Sequence, residues 1–121
     1  MTAPGAVTLL TFVPPARMLN LNDGGHWAPR AARVKAWREA TYWHAKAARI
    51  LEQPPSHVQV TLPVVSNRRR DPNNWSPTVK AIVDGLVDAG VFVDDNSQWV
   101  TDQLPILDPG TKVVTVTITP R

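Results

Sequence analysis

The hydrophobic and polar positions along the chain predict four strands. Val7–Val13 is a short apolar run rich in β-branched residues, and His57–Val65 alternates with a period of two. Gln98–Leu107 predicts a third strand and Lys112–Thr119 a fourth. Residues 17–29, which are rich in asparagine and glycine, predict a long loop between the first strand and the first helix.

Two other segments have the features of helices. Arg30–Leu51 is rich in alanine and contains neither glycine nor proline. It places these residues along one side: Val34, Trp37, Thr41, His44, Ala48 and Leu51. The second helix is predicted to begin at an N-cap, Ser76, to have Pro77 in its first turn and to run to about Ala89, with Gly90 as its stop.

The order of these elements predicts the fold class. Strand, helix, strand, helix, strand, strand favours an α+β (α/β) domain, with a mixed sheet of about four strands and two main helices packed on it. The 121 residues suit a single domain, 1–121, and 43% hydrophobic content is enough for a core without cross-links.

Composition removes several classes of protein. The chain has no cysteine, which excludes disulfides and thiolate metal sites. No apolar run approaches the ~20 residues of a membrane span, and Met1–Leu10 lacks the basic region of a signal peptide. We therefore expect a cytoplasmic protein with no membrane partner and no organic cofactor.

Charge is distributed unevenly around a net value of +3. Pro29–Glu52 holds six basic residues against two acidic ones, and Arg68–Arg70 is a second basic block. Asp71–Asp108 then holds seven of the ten acidic residues, with Lys80 as its single base. Basic groups that hold phosphates beside acids that hold a metal are typical of a metal-dependent nuclease. Two ordinary solvated faces are the alternative.

The acidic residues most suited to chemistry lie on the second predicted helix and in its two flanking loops: Asp71, Asp84, Asp88, Asp94 and Asp95. Lys80 precedes Asp84 by one helical turn. A helix and its flanking loops can bring Asp71, Asp84 and Asp94 or Asp95 together, and clustered carboxylates suit Mg²⁺. Taken singly, each acid also has a plain explanation, since Lys80–Asp84 is an ordinary surface pair and Asp94–Asp95 an ordinary turn.

One stretch resembles a known family. Residues 68–74 are R-R-R-D-P-N-N, residues 80–90 are K-A-I-V-D-G-L-V-D-A-G, and V-D-D follows at 93–95. The RusA family of Holliday-junction resolvases has a basic run, D-x-D-N, a lysine, a helix of the form K-A-x-x-D-x-L-x-x-A-G and a D-D pair. The resemblance extends from Arg68 to about Gln98, about a quarter of the chain.

The resemblance implies a homodimeric endodeoxyribonuclease that binds four-way DNA junctions and nicks them with Mg²⁺ or Mn²⁺, in recombination and repair. By position, Asp71 matches the first catalytic aspartate and Asp95 the last, with Asp94 beside it. Lys80 matches the catalytic lysine of the family and Asp84 the helix aspartate. The family is frequent in phages, which suggests a bacterial or phage-infected bacterial cell.

Two departures from the family pattern concern the metal. Asn73 replaces the second aspartate of D-x-D-N, so it offers a carbonyl oxygen but no charge. The segment around Trp75 also lengthens the connection from Asp71 to Lys80. Three hypotheses follow: a junction-resolving nuclease, a catalytically impaired junction-binding protein of the same fold, or a module unrelated to nucleic acids.

Several residues are candidates for contact with DNA. Arg68, Arg69 and Arg70 are the strongest, because guanidinium groups bind phosphates through two parallel hydrogen bonds. Arg30 and Arg33 on the first helix are further candidates for holding the DNA arms. Trp75 has two interpretations: it stacks on an unpaired base, or it is a packing residue that anchors its loop.

Overall fold

A mixed sheet of five strands and two helices make up the fold. The computed structural model describes residues 6–23, 27–66 and 70–121. In chain order the elements are β1 (Thr8–Phe12), α1 (Trp27–Ala47), β2 (Ser56–Pro63), a 3-10 helix (Pro72–Trp75), α2 (Ser76–Asp88), β3 (Val100–Asp102), β4 (Ile106–Asp108) and β5 (Val114–Pro120). The predicted α+β class and the order of its main elements are confirmed.

Strand β2 lies in the middle of the sheet. Its neighbour β5 runs antiparallel to it, and β1 pairs antiparallel with the far side of β5. On its other side β2 pairs in parallel with β3 at Ser56–Val58 and with β4 at Thr61–Pro63. The sheet is therefore mixed, as predicted, and both parallel neighbours come from the chain that follows α2.

The predicted single strand Gln98–Leu107 is two short strands, which is why the sheet has five strands instead of about four. Residues 103–105 leave the ladder between them, and Pro105 has no backbone N–H with which to continue it. The interruption is anchored to β2, because the Gln103 amide donates to the Val58 carbonyl at 3.0 Å. The side chain of Gln59 donates to the Leu104 carbonyl.

Helix α1 ends at Ala47, four residues before the predicted end. Arg49 has a positive φ of 55°, its amide donates to the Lys46 carbonyl, and the Ile50 amide donates to the Ala45 carbonyl. This is a Schellman motif, which usually has glycine in the position that Arg49 occupies. Because the helix stops early, Ala48 and Leu51 of the predicted one-sided row lie beyond its end. Both are exposed, as is His44 within the helix.

The start of α2 also differs from the prediction. The chain first makes the 3-10 helix, and the Asp71 side chain caps it by accepting a hydrogen bond from the Asn73 amide. The N-cap of α2 is Trp75, so Ser76 is the first helical residue and not the N-cap. The other end is confirmed, since Gly90 has a φ of 80° immediately after the helix.

One core joins the sheet to both helices. Alternate residues of the strands are buried, as expected for a sheet covered on one face. Among the side chains that the structure describes, Trp37 is the largest that is fully buried. Core side chains of the sheet and of α2 include Val58, Val60, Leu62, Val116, Ile118, Val79, Ile82 and Leu86. Among the described residues, no helix combines the length and apolar character that crossing a membrane requires.

Helices α1 and α2 come very close to each other at Gly85. A Cβ atom placed on Gly85 would lie 2.5 Å from the Arg38 carbonyl oxygen and 2.7 Å from Thr41 Cβ. Thr41 is buried, and its hydroxyl donates back to the Trp37 carbonyl at 2.9 Å. Only glycine allows the two backbones to come this close, so this contact fixes how α1 lies across α2.

We expect Gly85→Ala to destabilise the protein by about 2 kcal/mol, as for other overpacked sites. The added methyl group meets the backbone of α1, which outweighs the better helix propensity of alanine. Urea unfolding followed by circular dichroism measures the change. Gly90→Ala is the control, because a Cβ there has open space and only the positive φ is unfavourable. Unchanged stability of Gly85→Ala would contradict the close approach.

Candidate functional site

Lys80 stands between two of the predicted site carboxylates. Its ammonium group donates to Asp84 Oδ1 at 2.8 Å and also to Asp95 Oδ2. Asp84 lies one turn along α2, as the spacing predicted. Asp95 reaches the same place because the chain reverses at Gly90 and returns beside the exposed face of α2. The structure thus brings together Lys80, Asp84 and Asp95.

The two ends of this interaction hold each other in the charged form. Hydrogen bonds to Asp84 and then to Asp95 raise the pKa of Lys80. The hydrogen bond from Lys80, followed by one with the Asp94 side chain, lowers the pKa of the Asp95 carboxyl. Lys80 is therefore a cation and Asp95 an anion at neutral pH, in a solvent-accessible position.

Asp94 plays a different part from its neighbour. Its carboxylate accepts a hydrogen bond from the Asp95 amide at 2.7 Å and another from the Asn96 side chain at 3.2 Å. Such bonds to the following residues are typical of an aspartate that shapes its own turn. Asp94 therefore holds the loop that presents Asp95 to Lys80.

Arg38 on α1 extends the row of charges. Its Nε and Nη2 donate to the two carboxylate oxygens of Asp88, with Nη2–Oδ1 at 2.8 Å. Its Nη1 lies 3.9 Å from Asp84 Oδ2. Asp88, which the helical spacing placed near Lys80, is thus paired with Arg38. In the sequence Arg38 is distinguished only as part of a basic segment, since no local signal links it to a residue 50 positions away.

Asp71 and Asn73 line different cavities, although the Asp71 carboxylate accepts a hydrogen bond from the Asn73 backbone amide. Asp71 lines a polar pocket formed with the loop before α1, whereas Asn73 lines a smaller cavity of about 190 Å³ beside Gln103 and Leu104. Among the described residues, no group of three or more histidines, aspartates or glutamates is arranged to hold a metal ion. The predicted set Asp71, Asn73, Asp84, Asp94 and Asp95 therefore falls into separate groups.

The polar pocket has a volume of about 510 Å³. It lies between the loop of residues 17–23 and the 3-10 helix, and Asp71 is on its rim. Its lining residues are Arg17, Asn20, Asn22, Asp23, Arg70, Asp71, Asn74 and Trp75. The sequence predicted residues 17–29 only as a loop, and none of the pocket residues in this loop was predicted as a site residue. Its run of asparagine and aspartate, close after an arginine, was the available signal.

Arg30 and Arg33 bind the loop that forms this pocket. Both donate to Asp23 Oδ2 at 3.3 Å, and they also reach the backbone carbonyls of Asn20 and Met18. Burial alone would raise the pKa of Asp23, but the Asn20 amide and the charge of Arg33 outweigh it and lower that pKa. The two arginines thus have structural partners, and their contact with DNA stays a prediction.

The structure describes only some of the other residues predicted to contact DNA. Arg68 and Arg69 lie outside the described residues. Arg70 donates to the Ser66 carbonyl at 2.8 Å and also lines the polar pocket. Trp75 is half-buried, packs against the core and lines the same pocket, so its ring has both a packing contact and an accessible part.

Comparison with known proteins adds no family assignment. The sequence matches no protein-family model, and no curated protein matches it. The residues of the chain and their arrangement are therefore the basis for assigning a function.

We predict that the Arg38–Asp88 pair makes stability fall in acid. The hydrogen bonds from Arg38 lower the pKa of Asp88 in the folded protein. A lowered folded pKa gives stability that is complete above the ordinary aspartate pKa of about 4 and is lost as the pH falls through the folded value. Asp88→Asn removes this part of the pH dependence and lowers stability at neutral pH, measured by urea unfolding across a pH series.

Glu39→Gln is the matched control for this prediction. Glu39 pairs with Lys35 on the exposed face of α1 at 3.8 Å, with both side chains more than half exposed. Such a pair contributes little, so its removal is expected to leave the acid dependence unchanged. An Asp88→Asn profile that follows the wild-type profile at every pH would refute the role of the Arg38–Asp88 pair. Asp84 is the other carboxylate within reach of Arg38 and is intact in both variants.

Proposed function

We propose that the protein is a metal-dependent endodeoxyribonuclease that nicks four-way (Holliday) DNA junctions in recombination and repair. The observation that carries the proposal is the position of Lys80, within hydrogen-bonding distance of Asp84 and Asp95 on an accessible face. These are three of the residues that the resemblance to RusA-type resolvases singles out, and they come from two elements of the chain.

The oxygen donors at this place suit Mg²⁺, and Mn²⁺ as a substitute. Lys80 bonds to both Asp84 and Asp95 and so holds these two carboxylates near each other, and Asp95 is accessible enough to keep water ligands. Lys80 now provides the positive charge that keeps two carboxylates together. The resemblance adds Asp71, Asp94 and the Asn73 carbonyl as further oxygen donors; Asp94 adjoins Asp95, whereas Asp71 and Asn73 line other cavities. A bound Mg²⁺ would neutralise phosphate charge and make a water more acidic.

The remaining roles belong to side chains of the chain itself. Lys80 is well placed to donate to a phosphate oxygen as negative charge develops, since its three N–H donors can turn from carboxylate to phosphate. Arg68–Arg70 and the basic residues of α1 hold the DNA backbone in the proposal, with the salt dependence that phosphate contacts bring. A homodimer would supply two such sites, one for each of the two nicked strands.

A junction-binding protein without cleavage is the second candidate. It is favoured by Asn73, which stands where the resemblance has an aspartate and faces a different cavity from Asp71. A missing carboxylate weakens affinity for a divalent cation, because ligand charge is a main determinant of that affinity. DNA binding needs only the basic residues and survives this loss.

We expect metal-dependent, symmetric nicking of a labelled synthetic four-way junction. Asp95→Asn should lower the rate by roughly 100-fold or more, the order found when one stabilising group of a transition state is removed. The assay compares Mg²⁺, Mn²⁺ and EDTA and is read on a denaturing gel, with a gel shift of the same junction to measure binding.

Glu39→Gln is the control for loss of an exposed carboxylate that has a lysine partner outside the proposed site. It should nick at the wild-type rate. Junction binding without nicking at any metal concentration would support the second candidate. If the protein neither binds nor nicks the junction, both candidates are wrong.

If the protein is a nuclease, we expect Asn73→Asp to strengthen its binding of Mg²⁺. Restoring a carboxylate should lower the Mg²⁺ concentration at half-maximal nicking by several-fold, because the donor gains a charge. Asn73 is exposed, so the change should leave folding intact. An unchanged Mg²⁺ response would place Asn73 outside the metal site. A gain of nicking from an inactive wild type would identify Asn73 as the cause of lost catalysis.

A further inference from the structure

We propose that the polar pocket between the loop of residues 17–23 and the 3-10 helix binds one unpaired nucleobase of the DNA. This inference rests on the proposed function, since it takes the ligand to be DNA. It adds a binding site next to Asp71 that the resemblance does not supply. The size of the pocket, its aromatic wall, its amide groups and its charge all suit such a ligand.

The pocket has the size and one wall that a nucleobase requires. Its volume of about 510 Å³ is within the ~300–1,000 Å³ that is usual for small-molecule sites. One part of the Trp75 ring packs against the core, and another part lines the pocket. An indole held by the core on one side is a stacking surface, and every base has a face that can stack on it.

Amide side chains line the pocket beside the indole. Within the described part of the chain, the side chains of Asn22 and Asn74 have no hydrogen-bond partner. The side-chain oxygen of Asn20 accepts a hydrogen bond from the backbone N–H of Asn22 at 2.8 Å. The NH₂ group of the Asn20 side chain is left for a ligand. An amide offers donors and an acceptor together, as the hydrogen-bonding edge of a base does. A purely anionic or purely apolar ligand would use these groups less well.

The charges of the pocket favour a nucleotide over a bare cation. Asp23 is already compensated by Arg30 and Arg33, so it does not act as a free anion. Arg17, which is exposed at the rim, is available to a phosphate next to the base. Asp71 on the same rim would place the bound nucleotide beside a candidate catalytic carboxylate.

The pocket is formed before any ligand arrives. Leu19 is fully buried, and its amide and carbonyl both bond to the hydroxyl of Thr78 on α2 at 2.8 Å. The Leu21 amide donates to the Asn74 carbonyl at 2.7 Å, and Trp37 Nε1 donates to the Arg17 carbonyl at 3.1 Å. A long irregular loop tied to both helices in this way needs little ordering on binding, which favours affinity.

The test compares two DNA duplexes that differ by one base. Each carries a single unpaired position, filled by a thymidine in one and by an abasic residue in the other. Binding to the full chain is measured by fluorescence anisotropy in EDTA, so that no cleavage occurs. We expect the abasic duplex to bind wild type roughly five-fold or more weakly, as the loss of one stacked base requires.

Three variants locate the base. Trp75→Leu and, independently, Asn22→Ala should bind the two duplexes with nearly equal affinity, because each removes a contact to the base and leaves the phosphate contacts. Asn22 is exposed in the loop, so its variant is expected to fold even if Trp75→Leu does not. Trp43→Leu is the matched control. Trp43 is 64% exposed on α1 and does not line the pocket, so this variant should keep the wild-type preference.

Equal binding of the two duplexes by wild type would overturn the inference. A preference that persists unchanged in both Trp75→Leu and Asn22→Ala would overturn it as well, since the base would then bind elsewhere. A parallel junction-nicking assay separates the two proposals. Nicking without preference for the base rejects the pocket alone, whereas preference without nicking at any metal concentration rejects the nuclease alone. Absence of all DNA binding rejects both.

Discussion

The contact between α1 and α2 at Gly85 is the constraint on which the functional surface depends. Because no side chain separates the helices there, Arg38 comes within 3.9 Å of Asp84, and Trp37 is fully buried between α1 and the rest of the core. The same position of α1 lets the indole of Trp37 hold the carbonyl of Arg17, at the start of the pocket loop. A wider separation of the helices would loosen both the row of charges and the pocket.

Charges on this surface alternate in sign from one side chain to the next. Asp88, Arg38, Asp84, Lys80 and Asp95 form a continuous row in which each cation lies between two carboxylates. Such a row lets acidic groups gather at neutral pH without the repulsion that would raise their pKa values. In the proposed nuclease, the cations of the row are also the groups that meet a phosphate. Structure and the proposed chemistry thus require the same side chains.

Local sequence was sufficient where a single element decides the outcome, and insufficient where several elements meet. The turn at Gly90 and the Lys80–Asp84 pair follow from the chain itself, and both are as predicted. The early end of α1 could not be predicted in this way. Arg49 occupies the left-handed position at which a helix usually ends on glycine, so the sequence gives no stop signal there. The third predicted strand is divided because its two parts pair with different halves of β2. This pairing exists only in the assembled sheet.

The sequence by itself determined the fold class and the main helices and strands. These properties follow from periodicity, helix stops and residue type, all of which act over a few positions. Tertiary structure alone decided the partners: Asp88 pairs with Arg38, 50 residues away, and Asp71 faces a pocket whose other wall is the loop around Asn20. The physical reason is that hydrogen bonds and ion pairs act over a few ångströms, and folding brings together groups that are far apart in the chain.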